Sequence, residues 1–170
     1  EARRATVEAA KINGPVYLRF GRAPVPMITK EEDSFRIGKA NVLREGNDVT
    51  IFACGQMVYE AMLACDALKR EGTSARLINL HTPKPIDRDI IIKAARETGA
   101  MVTVEEHTVF GGMGSAIAEV VAQAHPVPIK MVGINDRFGV SGDPEQLFEH
   151  FGLTPKNIVI AAKEAIQMKG

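Results

Sequence analysis

The run Ala100-Met101-Val102-Thr103-Val104-Glu105-Glu106-His107-Thr108-Val109-Phe110-Gly111-Gly112-Met113-Gly114-Ser115-Ala116-Ile117 decides the fold class. Its apolar beginning, Met101 to Glu105, reads as a buried strand, and after two acids and a histidine a glycine cluster opens a helix over Gly114 to Ala124. A strand that turns directly into a helix is the repeating unit of an α/β sheet. In open sheets of this kind the carboxyl ends of the strands form the crevice where ligands and partner surfaces gather. Glu105, Glu106, His107, Gly111, Gly112 and Gly114 are therefore the candidate interface or loop site.

The alternation extends in both directions. Ala40 to Arg44 and Val49 to Cys54, joined by Glu45-Gly46-Asn47-Asp48, read as a hairpin that supplies an antiparallel edge strand. Gly55 to Arg70 is helical, with Val58, Met62, Cys65 and Leu68 along one face, and Ala75 to Leu80 is a strand. Asp87 opens a helix that Gly99 ends, Ile129 to Ile134 is a strand, and helices over Pro144 to Phe151 and Pro155 to Met168 finish the chain. The pattern predicts a three-layer α/β/α domain whose mostly parallel five-stranded sheet has one antiparallel edge strand. Upstream, Ala5, Ala9 and Ile12 recur at helical spacing, Asn13-Gly14-Pro15 closes that helix, and Val16 to Phe20 reads as a strand. Neither element has a partner of its own, and the sequence reads as starting mid-domain. Arg22 to Asp33, with Pro24, Pro26 and Glu31-Glu32-Asp33, reads as an interdomain linker.

Composition narrows the function classes. The 170 residues, 45% of them hydrophobic, suffice for one packed core and a short appendage. Lys and Arg together number 21, as do Asp and Glu, so no basic field is present to hold nucleic acid or an anionic membrane. No apolar run approaches the roughly 20 residues of a membrane span. Cys54 and Cys65 suggest neither a disulfide framework nor a metal knuckle, and the expected compartment is the cytoplasm.

Local chemistry assigns no catalytic, cofactor-binding or metal-binding residue. Gly111-Gly112-Met113-Gly114 has the form of a phosphate cradle at a helix N-terminus. Ile117 stands where a third glycine belongs, however, and Glu105 and Glu106 would repel a phosphate. The glycines are read as permitting a tight turn and a close helix-sheet contact. Glu105, Glu106 and His107 are consecutive and point in different directions, so they do not converge on one ion. Ser115 and Ser141 lack the elbow that exposes a nucleophilic hydroxyl. Lys84-Pro85-Ile86-Asp87 reads as a rigid loop with Asp87 as the helix N-cap.

Three motifs carry a resemblance: His81-Thr82-Pro83-Lys84-Pro85-Ile86-Asp87, the run Val104 to Ser115, and Asp136-Arg137-Phe138-Gly139-Val140-Ser141-Gly142. With the order of strands, they are similar to the C-terminal domain of transketolases. The resemblance implies that residues 35–170 are that domain, that 27–34 are linker, and that 1–26 are the end of the preceding pyrimidine-binding domain and the start of the linker. It implies a full enzyme that transfers a two-carbon ketol unit between sugar phosphates of the pentose phosphate pathway, using thiamine diphosphate and Mg bound by portions outside this sequence. It also implies an N-terminal section of the same enzyme as partner, and a homodimer. In the family an arginine in a Gly-Arg step before the linker helps hold the substrate phosphate, and Gly21-Arg22 matches that step; the planar guanidinium suits it. The family's Gly-Asp-Gly motif for diphosphate and metal does not occur, Gly142-Asp143-Pro144 being a departure, and the family's cofactor-activating glutamate lies before Glu1. The chain alone is therefore expected to be inactive and to serve assembly. His107 after two glutamates favours transketolase, while deoxyxylulose-phosphate synthase, the beta subunits of 2-oxoacid dehydrogenases and a purely structural interaction module stay open.

Overall fold

A computed structural model describes residues 1–21, 24–30 and 33–169. After helix α1 (Ala2–Ala9), the elements are β1 (Asn41–Arg44), β2 (Val49–Ala53), α2 (Met57–Arg70), β3 (Ala75–Asn79), α3 (Arg88–Thr98), β4 (Met101–Thr108), α4 (Met113–Ala124), β5 (Ile129–Ile134), α5 (Pro144–Phe151) and α6 (Pro155–Gln167). The five strands lie in the order β1-β3-β2-β4-β5, with β1 antiparallel to β3 and every other pair parallel.

Strand periodicity divides the core into two layers. Ile51, Leu77, Val102 and Val104 face α2 and α6, where Leu68, Cys65, Ile158 and Ala162 meet them. Phe52, Ile78 and Met101 point the other way, onto Ile91 of α3 and Ile117 and Val121 of α4. Both faces of the sheet are thus covered, and all five residues of β2 are buried. The result is the expected three-layer α/β/α architecture with a single antiparallel edge strand.

Four local expectations fail. The first is the extent of α1, which ends at Ala9, short of Ile12 and of Asn13-Gly14-Pro15. β1 and β2 do not form a hairpin, because β3 lies between them and β1 pairs with β3. A strand buried at every position belongs in the middle of a sheet, whereas β1, mostly half-buried, suits an edge. The connection crosses the end of β3 closely: a Cβ on Gly46 would overlap the backbone of Ala75 and Arg76, and Ser74 donates its N–H to Asp48 at 2.6 Å. Val16 to Phe20 is not in a strand, having no ladder partner among the described residues. Asp87 stands at the N-cap position of α3, but its carboxylate does not cap the helix. It accepts instead from the Ala40 N–H at 3.0 Å and the Lys39 ammonium at 3.1 Å, tying the start of α3 to the start of β1. Two acids, Asp87 and Asp89, hydrogen-bond Lys39 and hold its pKa above the usual value.

Candidate functional site

Parallel strands leaving β2 in opposite directions place a topological switch point between the carboxyl ends of β2 and β4. The predicted loop residues sit on the β4 side of it. β4 runs through Thr108, three residues beyond the expected end, so Glu105, Glu106 and His107 alternate across a strand.

Glu105 points toward α4 and is 2% exposed. Its two carboxylate oxygens accept the N–H groups of Met113 at 2.6 Å and Gly114 at 2.8 Å, two donors that the first turn of a helix leaves without intrahelical partners. Negative charge is favoured there by the helix dipole as well. The glycines make room for this carboxylate. A Cβ on Gly112 would overlap it, and one on Gly114 would stand 3.2 Å from its Oε1. Gly111 has φ +72°, the left-handed conformation that turns the chain into the helix. Its N–H is accepted by the Ser115 hydroxyl at 3.0 Å, and that hydroxyl donates to the Val109 carbonyl at 2.7 Å. Four of the six predicted residues, Glu105, Gly111, Gly112 and Gly114, thus form one turn.

Glu106 and His107 do not join it. Glu106, next along the strand, points to the opposite face and accepts from the Gln56 amide, which links β4 to the residues that follow β2. His107 is exposed, and its Nδ1 donates to the neighbouring Thr108 carbonyl at 3.0 Å. Cys54, between the sheet end and these acids, has its thiol pushed up to about 12, first by burial and then by the charge of Glu105.

Four residues of this edge were not anticipated: Gln56, Asn79, His81 and Phe35. Asn79 is fully buried at the end of β3 and donates from its side-chain amide to the Glu1 carboxylate. His81 stacks on Phe35 with ring centroids 4.2 Å apart, and its Nδ1 lies 2.8 Å from the Thr82 hydroxyl. Burial lowers its pKa, and Glu1 partly opposes that shift. The N-terminal residues therefore reach the strand ends through Glu1 and Phe35. The available signal was position, since Gln56 lies three residues past the end of β2, one of the two strands at the switch point, and His81 lies two residues past the end of β3, the neighbour on the other side of β2. Arg22 lies outside the described residues.

The profile of the family described as "Transketolase, C-terminal domain" matches residues 38–158. The chain belongs to the transketolase C-terminal domain family. It is 48% identical over 157 residues to the 6-deoxy-6-sulfo-D-fructose transketolase subunit of Clostridium sp. (strain MSTE9), covering 92% of this chain and 49% of that protein. An apulose-4-phosphate transketolase subunit of Phocaeicola vulgatus is 42% identical over 154 residues, covering 90% of this chain and 49% of that protein. Among solved structures, a split gene transketolase described as an inactive beta4 tetramer superposes with a TM-score of 0.96 and 45% identity, covering 99% of this chain and 55% of that one. The chain thus spans about half the length of the curated relatives it matches.

The family implies a diphosphate cofactor with its metal, and the described residues do not fit that group. The helix end that would offer N–H donors to a diphosphate is filled by the carboxylate of Glu105. No three or more His, Cys, Asp or Glu side chains among the described residues are arranged to hold a metal ion. No described helix is long and apolar enough to cross a membrane.

Proposed function

We propose that this chain is the C-terminal section of a cytoplasmic, thiamine-diphosphate-dependent transketolase, working with an N-terminal section of the same enzyme in a dimeric assembly. The observation that carries this reading is the match of 99% of this chain to 55% of one chain of a split gene transketolase. When bound, the cofactor supplies the electron sink for two-carbon transfer. In this reading its diphosphate and Mg are held by portions outside this sequence, and among the described residues the N-terminus of α4 is already taken by the Glu105 carboxylate.

In this reading residues 1–26 are the end of the pyrimidine-binding portion and the start of the linker, 27–34 are the rest of the linker, and 35–170 are the C-terminal domain. The outward-facing side chains of Tyr17, Phe20 and Met27 support it, because they need cover that the described residues do not provide. The substrates we propose are ketoses bearing a terminal tetrahedral anion. The relatives' names include one sulfonated and one phosphorylated sugar, and the Arg22 guanidinium is suited to pair with either group. The pentose phosphate pathway is one setting for such chemistry.

The test is to produce this chain together with an N-terminal section that includes the rest of the pyrimidine-binding portion, and to follow two-carbon transfer from a phosphorylated and a sulfonated ketose to an aldose acceptor. Transfer that depends on thiamine diphosphate is expected from the pair, and none from either section alone. An assembled pair inactive with both donors would overturn the reading and leave a structural module in its place.

A further inference from the structure

The β4–α4 turn has every part of an anion site. A helix of 12 residues aims its first N–H groups at one point, and glycines let that point lie close to the backbone. The occupant is the chain's own Glu105 carboxylate, held at 2.6 and 2.8 Å. A second observation stands apart from the helix end. Thr103, two residues back on the same face of β4, is fully buried, and its hydroxyl has no hydrogen-bond partner among the described residues. That hydroxyl lies 2.5 Å from where a Cβ on Gly114 would stand, and Glu105 Oε1 lies 3.2 Å from the same point, so both border one space. A buried hydroxyl without a partner is costly unless an acceptor can use it.

We infer that this turn is a self-liganded anion site, closed to phosphates in the native chain and opened to a small carboxylate, formate or acetate, when the Glu105 side chain is removed. Three donors line it: the Met113 and Gly114 N–H groups, which Glu105 holds, and the Thr103 hydroxyl. A carboxylate matches two adjacent N–H donors in shape and charge. A phosphate approaching the native turn would meet the charge of Glu105 at short range in a low-dielectric setting. The inference concerns this turn alone and does not rest on the transketolase reading.

Two measurements test it. Glu105→Ala is expected to melt at a lower temperature than the parent. Formate at about ten times its dissociation constant should then recover about 3 °C of Tm, while chloride at equal ionic strength should not, and the parent should gain nothing from formate. A variant that folds and gains no more from formate than the parent overturns the inference. The second measurement needs no variant. In the native chain the amide resonances of Met113 and Gly114 should be unmoved by inorganic phosphate, and saturable movement of these two signals by phosphate overturns the closed state directly.

Discussion

The β4–α4 turn and the N-terminal stretch before β1 both carry strong local sequence signals, yet they satisfy their physical needs in opposite ways. In the turn, the donors of Met113, Gly114 and Gly111 are all met by side chains within nine residues. In the N-terminal stretch, Val16 to Phe20 has the composition of a strand but no ladder, and Tyr17 is 87% and Met27 92% exposed. The first region supplies its own partners for these three N–H donors. Among its described residues, the second holds to the domain through Glu1 on Asn79, Ile28 against the core and Phe35 on His81, while Tyr17, Phe20 and Met27 present apolar surface. A strand-forming sequence becomes a strand only when another edge is supplied.

The sharpest way to break this contrast is to place the same methyl group in each region. Gly112→Ala should destabilise the chain by about 1–3 kcal/mol, because its Cβ would overlap the Glu105 carboxylate and stand 2.5 Å from the Thr108 carbonyl oxygen. Gly21→Ala meets nothing within 4 Å and should change stability by less than about 0.5 kcal/mol. Chemical denaturation of the two variants measures both. Equal losses would show that the turn is not the tighter region.

A smaller effect is expected where the N-terminal residues touch the sheet. Burial holds the His81 pKa below the ordinary value of about 6.5. Between that value and the lowered one, the unfolded chain binds a proton that the folded chain does not. The stability associated with neutral His81 is therefore full above about pH 6.5 and is lost as pH falls through the lowered value. Melting temperatures of the parent should accordingly drop further between pH 7 and pH 5 than those of His81→Gln. Parallel pH profiles would show that His81 is not held neutral by its place under Phe35.

Much of the fold was legible because its signals are local. The spacing of Val58, Cys65 and Leu68 marks α2, Gly99 ends α3 in the left-handed conformation, and the glycine cluster marks the start of α4. Pairings set by distant residues were not legible in the same way. The turn chemistry of Glu45 to Asp48 suggests a hairpin, but burial of β2 on both faces puts β3 between the two strands. Asp87 has the residue type of a cap, but its carboxylate is held by Lys39 and Ala40, more than forty positions away. At the site, the sequence sets Glu105 against a phosphate at the glycines, and the geometry adds that the carboxylate is itself the ligand. Gln56, Asn79 and His81 carry no local signal of their roles, because those roles depend on which strand ends lie side by side.

The central claim is that this section contributes structure to an enzyme whose cofactor is held elsewhere, and calorimetric titration of thiamine diphosphate with Mg into the chain by itself tests it most directly. The account predicts no saturable heat, because the helix end that could take a diphosphate is occupied by Glu105. Micromolar, Mg-dependent binding to the isolated chain would contradict it.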